Sequence, residues 1–403
     1  VKILFVVQRY GETIAGGAEQ LVREYAVRLT ERGHSVEVLT SCATSYLDWA
    51  NSFPAGEELD HGVRVTRLPV QRPRDSRLFG AVHQRATADL RMLRRHSPTL
   101  DQCWQEMVGP SLSGLHAWIE ANAHRFDVAV FSGYMFSPTT TGLPVAAPLL
   151  PTLLQPVAHD EPPFRLPLLR KIFDHAAAIN FLTEEERDLV CQRYRPPGEI
   201  AVFGAGVSNA PPEWRSGVRQ RFGLGEAPFL ACVGRIDPGK GAHELVNYFR
   251  HRVGGPEDLK LVLIGSEVAP IERPPGVIVT GFVDEATKWA LLREATILVQ
   301  PSYFESFSLS LTEGWRVGLP AVVQGRNPVL AGQVRRAEGG LSFRNFAEFD
   351  AAVSYLLQNN TARASLGAAG QRYVNRYNWE AVLDEFEQLL RRAVSRCDLR
   401  NSN

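Results

Sequence analysis

Apolar runs and amphipathic runs alternate along almost the whole chain. The runs Lys2–Val7, Ser35–Thr40, Val63–Pro69, Asp127–Ser132, Leu149–Gln155, Ala177–Leu182 and Ile200–Phe203 are rich in Val, Ile and Leu, and several have no polar break. Near-continuous apolar runs of this length predict parallel strands covered on both faces. Between the first two, Leu21, Val22, Tyr25, Ala26 and Leu29 fall on one helical face, and Gly33 is placed to end that helix. The chain therefore starts with a β-α-β unit. Ser208-Asn209-Ala210-Pro211-Pro212-Glu213 reads as a linker. A second alternation follows, with strands predicted at Phe229–Val233, Lys260–Ile264, Val277–Thr280, Thr296–Gln300 and Pro320–Val323. Helices are predicted at Ala242–Arg252, Glu285–Glu294 and Leu309–Val317.

Two consecutive α/β halves predict two doubly wound, Rossmann-like domains with a cleft between them. We place the first at 1–207 and the second at 208–376. From Tyr377 the pattern changes. Asn378-Trp379-Glu380, then Val382, Leu383, Phe386, Leu389 and Leu390, describe one long amphipathic helix with no strand after it. Part of 377–397 is expected to pack back on the first domain, and the tail after Cys397 to fray.

Composition narrows the function classes. Of 403 residues, 44 are Lys or Arg and 44 are Asp or Glu, so the formal net charge is zero. A protein held on nucleic acid by bulk charge carries a basic excess, so no nucleic-acid partner is expected. No apolar run approaches the roughly 20 residues that span a bilayer; the longest, Val145–Ala158, is broken by Pro148, Pro151, Gln155 and Pro156. The stretch Val1–Arg9 is too short for a signal-peptide core and lacks a small-residue cleavage site. Cys42, Cys103, Cys191, Cys232 and Cys397 form no C-x-x-C pair. Neither a disulfide framework nor a cysteine metal site is indicated, and a reducing cytoplasm is the expected compartment. Only Lys2, Lys171, Lys240, Lys260 and Lys288 are lysines; the other 39 basic residues are arginine. A lysine in a chemically suggestive place is therefore an exception on this chain's own usage.

Three constellations can carry chemistry. Gly16-Gly17-Ala18-Glu19 lies between the first strand and its helix, where two glycines let backbone N–H groups approach an anion; a plain β-α turn reads the same way. It is not G-x-G-x-x-G, which disfavours an NAD enzyme. Val233-Gly234-Arg235-Ile236-Asp237-Pro238-Gly239-Lys240-Gly241 follows a strand and opens a helix. Arg235 and Lys240 can converge there on a phosphate. The residue after Lys240 is Gly241, so it is not an ATPase P-loop. The third is Glu305-Ser306-Phe307-Ser308-Leu309-Ser310-Leu311-Thr312-Glu313, continuing Gly314-Trp315-Arg316-Val317-Gly318-Leu319-Pro320. Glu305 falls in a loop after a strand and Glu313 in the helix that follows. Both can face the carboxyl ends of the strands, where such sheets bind ligands. Carboxylates accept from vicinal sugar hydroxyls. The N–H groups of Phe307, Ser308 and Leu309 open the helix and can hold a diphosphate.

In this order, G-G, G-R-x-x-x-x-K-G and E-x-F-x-L-x-x-x-E-x-x-x-x-G-x-P resemble the retaining glycosyltransferase family 4. Gly281-Phe282-Val283-Asp284-Glu285-Ala286-Thr287-Lys288 and the Trp379 helix fit as well. The resemblance runs through most of the chain. It implies the α/β GT-B fold: two Rossmann-like domains facing each other across a cleft, with the C-terminal helix crossing back to the first. It also implies roles. Arg235 and Lys240 would neutralise the donor's diphosphate, Glu313 would bind the ribose hydroxyls and Glu305 the donor sugar. Gly17, with Gly16, would lie beside the leaving diphosphate and acceptor. His159, in Gln155-Pro156-Val157-Ala158-His159-Asp160, would stand near the reacting sugar; by itself a histidine after a strand is more often structural. Phe282, Val283 and Lys288 would cup the base. Two departures stand out. Many members have glycine where this chain has Ser308, a side chain that narrows the sugar site, and Gly314-Trp315 follows Glu313 where members often have alanine. Trp315 fits core packing or the donor's neighbourhood.

The implied activity is transfer of a hexose-type sugar, with retention, from a nucleotide diphosphate sugar to a hydroxyl of a glycan, lipid-linked or small-molecule acceptor. Two cationic side chains on the phosphates, and the lack of any D-x-D triplet, predict that no metal and no cofactor is needed. Glu285 beside the base would suit guanine and so GDP-mannose, whereas family frequency favours a UDP-sugar. Residues 64–96 carry nine arginines against Asp75 and Asp89. In lipid-acting members such a segment docks on anionic bilayers, and Phe79–Arg95 would be the basic helix for peripheral contact with the inner membrane; a solvated arginine face is the alternative. Pro144–Pro167 reads as an irregular loop lining the cleft. A non-catalytic nucleotide-sugar-binding partner and a GT-B UDP-sugar epimerase are the competing functions.

Overall fold

The computed structural model describes residues 1–14, 16–92, 97–211, 216–252 and 257–401. They form two units: Val1–Gly204 with Val382–Asn403, and Ala205–Ala381.

Among the described residues, the first unit holds an eight-stranded sheet. Its strands are β1 (Lys2–Val6), β2 (Ser35–Ser41), β3 (Gly56–Asp60), β4 (Val63–Leu68), β5 (Val128–Ser132), β6 (Thr152–Gln155), β7 (Ala178–Phe181) and β8 (Glu199–Val202), in the order β3-β4-β2-β1-β5-β6-β7-β8. Every pairing is parallel except β3 with β4. β1, β5, β6 and β7 are buried along almost their whole length, which is why they read as unbroken apolar runs. β3, Gly-Glu-Glu-Leu-Asp, is exposed. Arg67 of β4 holds it through Glu58 at 2.5 Å and Arg64 through Glu57 at 3.1 Å. Helix Trp379–Asn401 returns to this unit: Phe386 stacks on Tyr25 at 4.4 Å, and Arg32 pairs with Asp384 and Glu387 at 2.8 and 3.0 Å.

The second unit holds a six-stranded, all-parallel sheet among its described residues. Its strands are β9 (Phe229–Val233), β10 (Lys260–Ile264), β11 (Val277–Val279), β12 (Ile297–Gln300), β13 (Ala321–Gln324) and β14 (Gly340–Phe343), in the order β11-β10-β9-β12-β13-β14. Strand order reverses between β9 and β12, so the loops leaving their carboxyl ends flank a switch-point crevice. Trp315 is core: fully buried, it donates to the Gly339 carbonyl at 2.8 Å, and a Cβ on Gly370 would lie 2.2 Å from its ring.

Three readings change. Pro144–Pro167 is not one irregular loop: Pro144 lies inside helix Ser137–Ala146, and β6 occupies Thr152–Gln155. Pro144 stands in the last turn of that helix and leaves the Thr140 carbonyl without its i→i−4 bond. The basic helix starts earlier than Phe79, at Ser76, and is described to Met92; residues 93–95 lie outside the described residues. Pro212 and Glu213 of the linker also lie outside them, and 208–211 is irregular. In the arginine-rich segment, Arg67 is buried in its ion pair. Arg74 lies over the rings of Trp49 and Phe79 at 5.2 and 4.3 Å and donates to the Val108 carbonyl at 2.6 Å. These two arginines are built into their own unit. Cys42, Cys103, Cys191 and Cys232 are unbridged; the Cys397 side chain lies outside the description. Among the described residues no helix is long and apolar enough to cross a membrane.

Candidate active site

In the second unit the β9 loop starts at Gly234, with φ 144°, where β10 ends on Gly265 so closely that a Cβ on Gly265 would lie 2.1 Å from the Gly234 carbonyl oxygen. Asp237 then caps a short turn, Pro238–Lys240, by accepting from the Lys240 N–H at 2.9 Å. Gly241 has φ 73°, and a Cβ there would lie 2.3 Å from the Pro301 carbonyl oxygen. Only glycine fits this position, and its fit docks the β9 loop against the first residue after β12. Lys240 thereby reaches Glu305, Nζ to Oε1 2.6 Å, with the two side chains 29% and 10% exposed. Arg235 lies 3.6 Å from the Asp237 carboxylate and is partly exposed.

The β12 loop is braced from three sides. Tyr303 donates to Glu244 at 2.7 Å, Asn327 to the Ser302 carbonyl at 3.3 Å, and Gln333 to the carbonyl of Phe307, itself buried edge-on against Tyr377 at 5.1 Å. Helix Leu309–Arg316 then starts at Ser308, with φ 70° and ψ 80°. That is the left-handed region where glycine is at ease. Ser308 is held there by Gln300, whose Nε2 donates to its Oγ at 3.0 Å. The first N–H groups of this helix have no partner within the helix itself.

Glu313, the fifth residue of that helix, is largely but not fully covered. Lys288 of helix Glu285–Glu294 donates to its Oε1 at 2.7 Å and lies 2.9 Å from Glu285. Burial pushes the Glu313 carboxyl up against the pull of Lys288. Burial opposes the Lys288 charge, but the two carboxylates outweigh it and hold the ammonium above its ordinary range. Lys288 therefore points its charge at Glu313. Phe282 is 67% exposed, with Val283 half-buried beside it, in the loop after β11.

In the first unit, Gly16 caps helix Gly17–Glu31, and the space over it is taken: a Cβ on Gly16 would lie 2.2 Å from the Glu19 carboxylate. Glu19 is buried in an ion pair with Arg9 at 2.5 Å, and Arg9 also donates to the Thr44 carbonyl at 2.9 Å. His159 follows β6, and its Nδ1 bonds Glu161 Oε1 at 3.1 Å; Tyr134 donates to the same oxygen at 2.9 Å. A carboxylate only accepts, so Nδ1 carries the proton and Nε2 is left for another partner. Burial opposes the Glu161 charge, but the bonds from His159 and Tyr134 win and keep its carboxyl below the ordinary range. The backbone before His159 is fixed by Glu186, fully buried, which accepts from the N–H groups of Ala158 and Leu182 at 2.7 Å each. Val157 stands there at φ 52°, strained for a β-branched residue. Arg9, Tyr134, Glu161 and Glu186 were missed by the sequence reading, and Glu19 was named only as the end of the Gly16 turn, without its ion pair. The Thr183-x-x-Glu186 capping pattern was the one available signal.

Among the described residues no cluster of three or more His, Cys, Asp or Glu is placed to hold a metal ion. Residues 218–373 match the family model for glycosyl transferases group 1, and residues 16–206 match that for the glycosyl transferase 4-like domain. The chain is a group 1 glycosyltransferase. D-inositol 3-phosphate glycosyltransferase of Xylanimonas cellulosilytica is 24% identical to this glycosyltransferase over 416 residues, covering 95% of this chain and 94% of that protein. Among solved structures, sucrose-phosphate synthase from Thermosynechococcus elongatus has a TM-score of 0.70 at 18% identity, covering 98% of this chain and 99% of that one. HepE of Anabaena, in complex with UDP-glucose, has a TM-score of 0.69 at 15% identity, with the same coverage of 98% and 99%. At these identities the likeness shows the fold, which is α/β GT-B.

Proposed function

We propose that this glycosyltransferase moves a hexose from a UDP-sugar to an acceptor hydroxyl, retains the anomeric configuration and needs no metal ion. The carrying observation is the switch point of the second sheet. There Arg235, Lys240, Glu305 and the start of helix Leu309–Arg316 lie at the carboxyl ends of β9 and β12. As the C1–O bond breaks, negative charge grows on the diphosphate. Arg235, Lys240 and the N–H groups of Phe307, Ser308 and Leu309 are the charge acceptors, a task suited to fixed cations and backbone dipoles. Glu305 takes donor-sugar hydroxyls, Glu313 the ribose hydroxyls, and the exposed Phe282 with Val283 the base. The leaving phosphate can take the acceptor's proton, so no separate base is required. His159 and the Gly16–Gly17 turn serve the reacting sugar and the acceptor from the first unit.

Glu285 supports uracil over guanine. One of its oxygens is on Lys288 and the other accepts from the Trp289 indole at 3.2 Å, so its capacity for guanine N1 and N2 is reduced. The relative aligned along nearly the whole chain is named for D-inositol 3-phosphate. A small phosphorylated polyol is therefore the first acceptor to test, ahead of glycan and lipid-linked acceptors or docking through 64–96.

The test is a thermal-shift panel of UDP, GDP, ADP and dTDP with and without EDTA, then turnover of the matching sugar nucleotides. Ligand at about 100 times Kd adds roughly 2.7 kcal/mol to the state that binds it. Stabilisation by UDP in EDTA, and acceptor-dependent release of UDP, are expected. Stabilisation by GDP alone would move the donor to GDP-mannose. Donor conversion without any acceptor would indicate an epimerase, and activity abolished by EDTA and restored by a divalent ion would end the metal-free mechanism.

A further inference from the structure

Lys288 is engaged in two ion pairs. Its ammonium sits between two carboxylates, 2.7 Å from Glu313 and 2.9 Å from Glu285, with both the Lys288 and Glu313 side chains only 12% exposed. We propose that Lys288 is a positioning residue for Glu313: it holds that carboxylate ionised and aimed, so that Glu313 can accept from the ribose hydroxyls of the donor.

The proposal rests on the ribose role given to Glu313 above. Its physical basis is the cost of a buried carboxylate, which is high unless a cation offsets it. The charged groups acting on Glu313 are Lys288 and Glu285, both from helix Glu285–Glu294. Of the elements packed on helix Leu309–Arg316, β12 (Ile-Leu-Val-Gln) and β13 (Ala-Val-Val-Gln) carry no charge. Helix Asn360–Val374 carries Arg363, which is held on the Leu356 and Leu357 carbonyls, and Arg372. Lys288 is thus the cation that offsets the charge of Glu313. Without it only burial and the like charge of Glu285 would act on that carboxyl, and both favour the protonated form. A protonated Glu313 has lost half of its acceptor capacity for a vicinal diol. Glu285 has a defined place as well: it balances Lys288 from the solvent side, its own side chain being 63% exposed.

The experiment compares UDP with 2′-deoxy-UDP by calorimetry, with GDP and ADP and their 2′-deoxy forms as further arms, from about pH 6 to about pH 8.5, above the ordinary carboxyl range. The wild type should prefer the ribonucleotide by about tenfold to a hundredfold, the worth of a bond to a charged group, at every pH in the window. Lys288→Met should lose most of that preference at the acid end and regain it as pH rises. Lys288→Arg should behave like the wild type, and Glu313→Gln should show a small, flat preference. Lys288→Gln, which keeps a donor without a charge, replaces Lys288→Met if thermal unfolding shows that variant to be misfolded. A wild-type preference kept at all pH values in the neutral variants would overturn the proposal while leaving the ribose role of Glu313 intact. Absence of any ribose preference in the wild type, or no effect of Glu313→Gln, would remove the ribose role and the proposal with it.

Discussion

Lys240 and Glu305 come from loops 65 residues apart and meet at 2.6 Å, each from the carboxyl end of a strand flanking the switch point. The contact depends on Gly241, whose missing side chain lets the β9 loop lie on Pro301. With the diphosphate role proposed for Lys240, the pair gives this cation a partner before any donor arrives. It also sets a carboxylate beside the place where negative charge has to be accepted.

That juxtaposition separates binding from turnover. Glu305→Gln removes a negative charge next to the proposed diphosphate site, so UDP without a sugar should bind at least as tightly as to wild type. Transfer should fall, because a donor-sugar contact is lost. Lys240→Ala should lower the transfer rate by about 10²–10³, the usual cost of one charge-stabilising donor. Calorimetry with UDP and initial rates with the sugar nucleotide check both. UDP binding tenfold weaker in Glu305→Gln would show that the carboxylate organises the loop rather than opposing the phosphate.

Ser308 occupies a left-handed conformation that costs a non-glycine residue about 1–2 kcal/mol. Its hydroxyl offsets part of this by accepting from Gln300. Ser308→Gly removes the strain together with the bond and should leave stability within about 1 kcal/mol of wild type. Ser308→Ala keeps the strain and loses the bond, so it should be the least stable of the three by about 1 kcal/mol. Unfolding by denaturant orders them. An alanine variant as stable as the glycine variant would mean that the helix start has relaxed out of that conformation.

The central strands were legible because burial on both faces leaves no polar residue to interrupt them: Phe229–Val233 and Lys260–Ile264 were read to the residue. β3 left no such mark. Gly-Glu-Glu-Leu-Asp has no apolar alternation, and what marks the strand is the pair of diagonal ion pairs from Arg64 and Arg67 of β4 to its glutamates. β14, Gly-Leu-Ser-Phe, is four residues at a sheet edge, too short to carry a period. In the site, residue types and their order were visible because chemistry repeats along a chain. Partners were not. That Lys288 meets Glu313, or that Glu161 turns His159, depends on how helices and loops pack, and nothing in the spacing of those residues encodes it.

The Glu161 network makes a pH-dependent contribution to stability. Its carboxyl is held below the ordinary value of 4.5 despite burial, by His159 and Tyr134. A depressed carboxyl stabilises the fold above the unfolded value and loses that contribution as pH falls through the folded value. Glu161→Ala, which leaves the buried Tyr134 hydroxyl without its acceptor, should cost about 1–3 kcal/mol at neutral pH. The difference from wild type should shrink below about pH 4.5. Denaturant unfolding of both proteins across that range measures it, with coincident probes to verify a single transition. A difference that stays constant with pH would mean that packing alone is lost.

Glu186 presents the opposite sign. Complete burial pushes its carboxyl up to about 8, against the backbone N–H bonds from Leu182, Ala158 and Val157. Between the ordinary value of 4.5 and about 8 the folded chain keeps a proton that the unfolded chain releases, so stability falls as pH rises through that window. Glu186→Gln does not titrate and keeps one accepting oxygen, but its Nε2 cannot accept from a backbone N–H as the second carboxylate oxygen does. It should lie below wild type near pH 5 and gain on it towards about pH 8, by an amount on the order of a few kcal/mol, levelling off above that. Because Glu186 also pins the strained backbone at Val157, just before His159, transfer activity should track the same titration in wild type and be flat in the variant. If wild type instead gains on Glu186→Gln as pH rises, the three N–H bonds outweigh burial. Glu186 is then an ionised clamp whose charge, rather than its proton, holds the loop in place.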